Sequence, residues 1–314
     1  MKLIESSVQI IEEKDPYKII ELAGRTCYKS EDKITEDSAK EFVDRMIKLG
    51  HGAMLEHGTI YLMNLIFDGD IDDNNNLTSE HTFYKYQNNK YSKVKIVSYS
   101  CPNEDAVYVT TNLRVLVEND WLDDLRYQVD PTEHHEKRIT AKFICDRGVS
   151  HEFVRHRVFS FAQESQRYCN YSKDKFNNEC TFIIPSWLND FPECIIRDSI
   201  GGYMYPSDYY RENLDGSFRG NIIFMTHTKY LIDSLFRAEK SYNNLINSGW
   251  KPQQARAVLP NATKTELVMT GFESDWEGFF KLRCSGAAHP DAKKLADKLR
   301  SLMNVKNSEL NSVK

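Results

Sequence analysis

Arg155, His156 and Arg157 stand together in the run RHRVFSFAQESQRY, which also holds Ser165 and Arg167. Four potential cations thus fall within thirteen residues, interleaved with Phe159, Phe161 and Tyr168. A guanidinium is a planar fork of N–H donors matched to phosphate oxygens. Three permanent positive charges this close repel each other unless anions lie among them. Val154, Val158, Phe159, Phe161 and Ala162 surround the run, so parts of it are expected to be buried, which is costly for an arginine without an anion. Arg256 in ARAVLP and Arg283 in FFKLRC occupy similarly apolar settings. The pattern predicts a pocket for phosphorylated ligands; a solvated face or an internal salt-bridge network is the plainer alternative.

Other chemistries fit less well. HEFVRH resembles a zinc-protease signature, but His151 and His156 are five apart, which turns the second imidazole off the helical face of the first. Flanking arginines would also repel a dication, so no metal is expected. Ser165 lacks a G-x-S-x-G elbow, and between Gln163 and Arg167 it suits a phosphate hydrogen-bond donor. The seven cysteines (27, 101, 145, 169, 180, 194 and 284) show no CxxC spacing, so they are expected to be reduced thiols with none essential to catalysis. Neither G-x-G-x-x-G nor a Walker A loop is present, which supports neither a Rossmann unit nor a P-loop. The phosphates of any dinucleotide must then be held by side chains such as arginines.

The elements that position these residues follow from periodicity. Asp15-Pro16 predicts a helix start, as N-cap and first-turn proline. A helix over 35–49 carries Phe42, Val43, Met46 and Ile47 on one face and stops at Gly50. Strands are expected at 58–67, 94–99, 106–117 and 137–145, a polar loop or insertion at 68–92, and a turn at Asp146-Arg147-Gly148. A helix over 149–155 then leads into the basic run. Residues 185–221 form an irregular excursion. A long amphipathic helix follows at 225–248, turning Leu231, Leu235, Ala238, Tyr242, Leu245 and Ile246 inward and ending at Gly249. Pro252 opens a short helix carrying Arg256, and helices at 276–284 and 290–303 finish the chain.

The chain has 314 residues, 40% of them hydrophobic, enough for a sizeable core. Its net charge of −5 argues against a general nucleic-acid surface, so the positive charge is local. No secretory leader or membrane-spanning run is seen, which predicts a cytoplasmic protein. No repeat or clean linker divides the chain, and one catalytic domain over 1–314 is expected.

The motifs taken together resemble the flavin-dependent thymidylate synthases, the ThyX family. Arg155-His156-Arg157, seven residues, Ser165, one residue and Arg167 match the family signature. GHGAMLEH (Gly50–His57), DRGVSHEFVRHR (Asp146–Arg157), ARAVLPNATKTEL (Ala255–Leu267) and FFKLR ending at Arg283 match in the same order. The resemblance implies a non-Rossmann α+β fold, a single mixed α/β domain, assembled as a homotetramer with active sites at subunit interfaces. It implies reductive methylation of dUMP to dTMP, with methylenetetrahydrofolate as carbon donor, NADPH as reductant and FAD as hydride carrier, and no cysteine nucleophile. The alternative is a nucleotide- or RNA-binding relative without flavin catalysis.

Carried over by motif, Glu152, Arg155, Gln163, Glu164, Ser165, Gln166, Arg167, Arg256 and Arg283 would bind dUMP. His51, Glu56, Arg155, His156, Arg157, Gln163 and Ser274 would face FAD. Arg283 would stabilise charge at the uracil edge; Ser165 is the other candidate for the chemistry itself. The chain departs from the family at Phe272 and Ser274, where many members carry asparagine and arginine, at Gly278 in place of a further asparagine, and at Ala53 in place of a hydroxyl residue. It also carries a long inserted region at about 68–140.

Overall fold

The computed structural model describes residues 1–67, 69–72, 74–98, 105–188 and 222–312, with the helical backbone alone at 222–229 and 306–312. In chain order the strands are β1 (Lys2–Ile4), β2 (Ser7–Ile10), β3 (Thr59–Leu65), β4 (Lys93–Val97), β5 (Ala106–Asn112), β6 (Arg138–Asp146), β7 (Ser160–Gln163), β8 (Thr181–Ile183) and β9 (Lys264–Phe272). The helices are α1 (Pro16–Tyr28), α2 (Ser38–Lys48), α3 (Gly52–Leu55), α4 (Tyr84–Gln87), α5 (Leu113–Glu118) and α6 (Arg147–Phe153) in the first half. After these come α7 (Ile222–Asn247), α8 (Pro252–Ala255), α9 (Glu273–Arg283) and α10 (Pro290–Ser312).

A four-stranded antiparallel sheet ordered β2-β6-β9-β7 carries the basic run at one edge. Alternation along β6 and β9 gives its faces opposite characters. One face presents Phe143, Leu267 and Met269 to Phe153 of α6, Trp276 and Phe279 of α9, and Leu295 and Leu299 of α10. Phe159 lies against Gly271, where an added Cβ would come within 2.4 Å of its ring. The other face is covered by α1 and α3, through Ala23 and Met54 against Ala162 and Val268. This second face is largely polar, bearing Thr140, Lys142, Glu266 and Thr270.

A separate antiparallel sheet, β3-β5-β4, arises from β3 and the expected insertion. Its apolar residues Ile60, Leu62, Val107 and Val109 pack with Ile20 of α1 and Phe42, Val43 and Met46 of α2. The short pair β1-β8 is parallel. The architecture is α+β with small sheets and no Rossmann arrangement among the described residues. No helix in these residues is long and apolar enough to cross a membrane.

Several expectations require correction. The strand predicted to run to residue 117 ends at Asn112, whose side chain accepts from the Val115 amide at 3.2 Å and caps α5. The turn expected at 146–148 is the start of α6: Asp146 caps it, accepting from the Val149 amide at 2.7 Å. That helix stops at Phe153, so Arg155, His156 and Arg157 lie beyond it. β1, β2, β7, β8 and β9 were not anticipated, and the last helix continues to Ser312. Most of the expected 185–221 excursion (189–221) lies outside the described residues, as do residue 99, Cys101 and Cys194.

Candidate active site

α9 runs back along the apolar sheet face and delivers Arg283 to the end of α6. There its Nε donates to His156 Nε2 at 2.9 Å and its Nη2 to the Glu152 carbonyl at 2.6 Å, while Nη1 pairs with the Glu152 carboxylate. The His156 ring lies tilted against Phe279, with ring centroids 5.0 Å apart. Burial, with Arg283 and Arg155 nearby, pulls the imidazole down to about 4, so it is neutral near pH 7 and can accept from Arg283. Glu152, His156 and Arg283 therefore form one unit.

Gln163, the last residue of β7, donates through Nε2 to Ser150 Oγ at 2.8 Å and Thr265 Oγ1 at 3.3 Å, tying the sheet edge to α6. The chain then turns. The Ser165 amide donates to the Cys27 carbonyl at 2.9 Å, and its hydroxyl accepts from the Arg167 amide at 3.3 Å. Arg167 is exposed and lies over the Tyr168 ring at 5.4 Å; Gln166 is half-buried. Glu164 points the opposite way and is buried, its carboxylate held by Lys264 at 2.8 Å and by the Tyr171 hydroxyl at 3.2 Å.

Burial of the basic run is only partial. Phe159 and Ala162 are buried, but Arg155 and Arg157 are exposed and have no ion-pair partner among the described residues. Val154 and Val158 beside them are exposed as well, as are Tyr168 and Leu282. Exposed cations and exposed valines thus adjoin along residues 154–158. Arg256, at the start of a short 3-10 turn after α8, is also exposed.

The remaining candidates lie apart from the Arg283 unit. His51 is exposed at the start of α3, which packs against β7. The Glu56 carboxylate pairs with Arg114 of α5, and its carbonyl accepts from Arg138 Nη1 at 2.9 Å. Ser274 sits at the far end of α9 from Arg283, about 13 Å of helical rise away, with its hydroxyl donating to Glu136. Phe272 is buried beneath Arg138, whose guanidinium carbon lies 5.5 Å from the ring centroid.

Two groups of residues escaped notice in the sequence. Arg147 Nη2 meets His151 Nε2 at 3.3 Å on α6, and the spacing of Arg147, His151 and Arg155 by fours was the available signal. The second is a buried ionic chain in which Glu266 is surrounded by Lys29 at 2.8 Å, Lys142 at 2.7 Å and Lys264. Nothing in the sequence sets these charges apart from solvent-facing ones. The five described cysteines are free. Burial raises their thiols, to about 11 at Cys27 and Cys284 and about 12 at Cys169 and Cys180, with Cys145 also pushed up.

Residues 128–306 match the sequence model of a family described as thymidylate synthase complementing protein. Relatives include the flavin-dependent thymidylate synthase of Mycobacterium marinum, 31% identical over 160 residues, covering 51% of this chain and 54% of that one. That of Corynebacterium efficiens is 33% identical over 150 residues, covering 48% and 50%. The match thus spans about half the length of these relatives. A solved structure, the UMP/dUMP methylase PolB from Streptomyces cacaoi bound with 5-Br dUMP, aligns with a TM-score of 0.41 at 14% identity, covering 96% of this chain and 92% of that one.

Proposed function

Since the chain belongs to the thymidylate synthase complementing protein family, that of the flavin-dependent thymidylate synthases, we propose that it converts dUMP to dTMP. Methylenetetrahydrofolate would supply the carbon, NADPH the reducing equivalents and FAD the means of carrying hydride to the pyrimidine. The observation that carries this proposal is the pairing of two features. One is the Glu152–His156–Arg283 unit; the other is the pair of exposed guanidiniums, Arg155 and Arg157, with no ion-pair partner among the described residues.

The donor set fits a flavin dinucleotide. Arg155 and Arg157, without an ion-pair partner among the described residues, are available for its diphosphate, and Gln163 ends the edge strand β7, against which the helix begun by His51 packs. The Phe272–Ser274 segment fits less well, because one residue is buried and the other already bonded to Glu136. We assign the cofactor to the arginine side of the site, leaving Ser274 out.

The chain's own residues have distinct tasks. Ser165, Arg167 and Arg256 would hold the dUMP phosphate. Arg283 would lie at the uracil edge, oriented by His156 and Glu152, so that its fixed charge opposes the negative charge developing on the ring; such stabilisation is commonly worth about 3 kcal/mol. The exposed Val154, Val158, Leu282 and Tyr168 would be covered by a second subunit, in keeping with sites formed between chains of a homotetramer. The test is dTMP formation from dUMP, methylenetetrahydrofolate and NADPH, with and without FAD. FAD-dependent product is expected. No product under either condition, with dUMP still bound, would mean a nucleotide-binding relative without flavin chemistry.

A further inference from the structure

Glu164 lies inside the segment matched to dUMP binding, yet its side chain has turned inward. Its side chain is 1% exposed; Oε2 accepts from Lys264 Nζ at 2.8 Å and Oε1 from the Tyr171 hydroxyl at 3.2 Å. Lys264 also pairs with Glu266, which is held in turn by Lys29 at 2.8 Å and Lys142 at 2.7 Å. The lysines come from α1's end, β6 and β9, so the chain of charges anchors one loop to three elements. The backbone runs parallel to it: the Glu164 amide donates to the Glu266 carbonyl at 2.8 Å and the Ser165 amide to the Cys27 carbonyl at 2.9 Å.

We propose that Glu164 and Lys264 are positioning residues, not ligand contacts: their buried ion pair fixes the turn that presents Gln163, Ser165, Gln166 and Arg167. The proposal rests on the ligand role given above to those four residues. The physical reason is the cost of an unpaired buried charge. Without Lys264, the Glu164 carboxylate must either take up a proton or reach water, and reaching water moves the turn with it. An arginine at 264 can still pair. Removing both charges together relieves the demand, because a neutral pair of similar size carries no such penalty.

The test compares the full-length protein with Lys264→Met, Lys264→Arg and the double variant Lys264→Met/Glu164→Gln. Amide hydrogen exchange reports the turn directly, and calorimetry with dUMP reports its consequence. In Lys264→Met the Glu164 and Ser165 amides are expected to exchange roughly tenfold faster while Phe143 and Met269 in the sheet keep their protection. dUMP affinity should fall about tenfold, since small misplacements of binding groups are costly. Lys264→Arg and the double variant should recover much of both. Unchanged exchange at Glu164 and Ser165, or acceleration at all four amides alike, would overturn the proposal, the second by making the pair an ordinary stability element. Should the wild-type protein fail to bind dUMP, the proposed function falls, and the exchange data alone decide the positioning role.

Discussion

At the scale of single residues, Arg283 is the group on which the proposed chemistry most depends. Replacing it with alanine is expected to abolish dTMP formation while flavin stays bound, as read from the visible spectrum and a turnover assay; loss of the flavin spectrum would instead make Arg283 a cofactor ligand. The thiols lead to the opposite expectation. Burial holds them protonated at neutral pH, so serine at Cys27 should leave turnover largely intact. The histidines predict a pH dependence of stability. His57 is buried, bonded to Thr270 at 2.8 Å, and pulled down to about 3 by burial; His156 lies at about 4. The unfolded chain takes up these protons near its ordinary value of 6.5, and the folded chain does so only below 4. The two contributions are complete above pH 6.5 and decline as the pH falls from there toward 3. Melting temperature should drop over that window, with a shallower slope in His57→Gln. The candidate cations could be picked out of the sequence because their charge resides in residue type. Lys142, Lys264 and Glu266 were not, since a charge in a strand reads as solvent-facing until the covering helix is known.

At the scale of elements, caps and close approaches decide where segments begin and how near they lie. Asn112 and Asp146 each end a strand and start a helix in a single step, so a run of apolar residues read as continuous strand, or a DRG triplet read as a turn, proved helical. Asp146→Ala should cost about 1 kcal/mol in a denaturant titration by leaving the first turn of α6 uncapped. Gly271 is a second such point. A methyl group there would lie 2.4 Å from Phe159, and Gly271→Ala is expected to cost on the order of 1–3 kcal/mol as the ring is displaced from Trp276. β9 was missed because both of its faces are buried: Lys264–Phe272 shows no polar-apolar alternation to betray a strand. α2 and the amphipathic α7 were plain because only one face of each is covered.

At the scale of the whole molecule, the exposed Val154 and Val158 beside Arg155 and Arg157 are the ground for expecting assembly. The full-length protein should sediment as a tetramer, and Val158→Asp should yield smaller species with reduced flavin content. The sequence could mark those residues but not reveal that a single chain leaves them open, because exposure depends on which elements close over them. The charged second face of the central sheet has a consequence of another kind. Thr140 lies directly opposite Thr270, and Lys142 stands one diagonal step from Glu266. Slipping β6 past β9 by one residue would carry Lys142 into the aromatic layer of Phe279 and Trp276, and slipping by two would part it from its carboxylate. Misaligned pairings are therefore heavily penalised, and a newly made chain has one workable way to zip its longest pair of strands. The alignment of this sheet is proofread by the charges it hides.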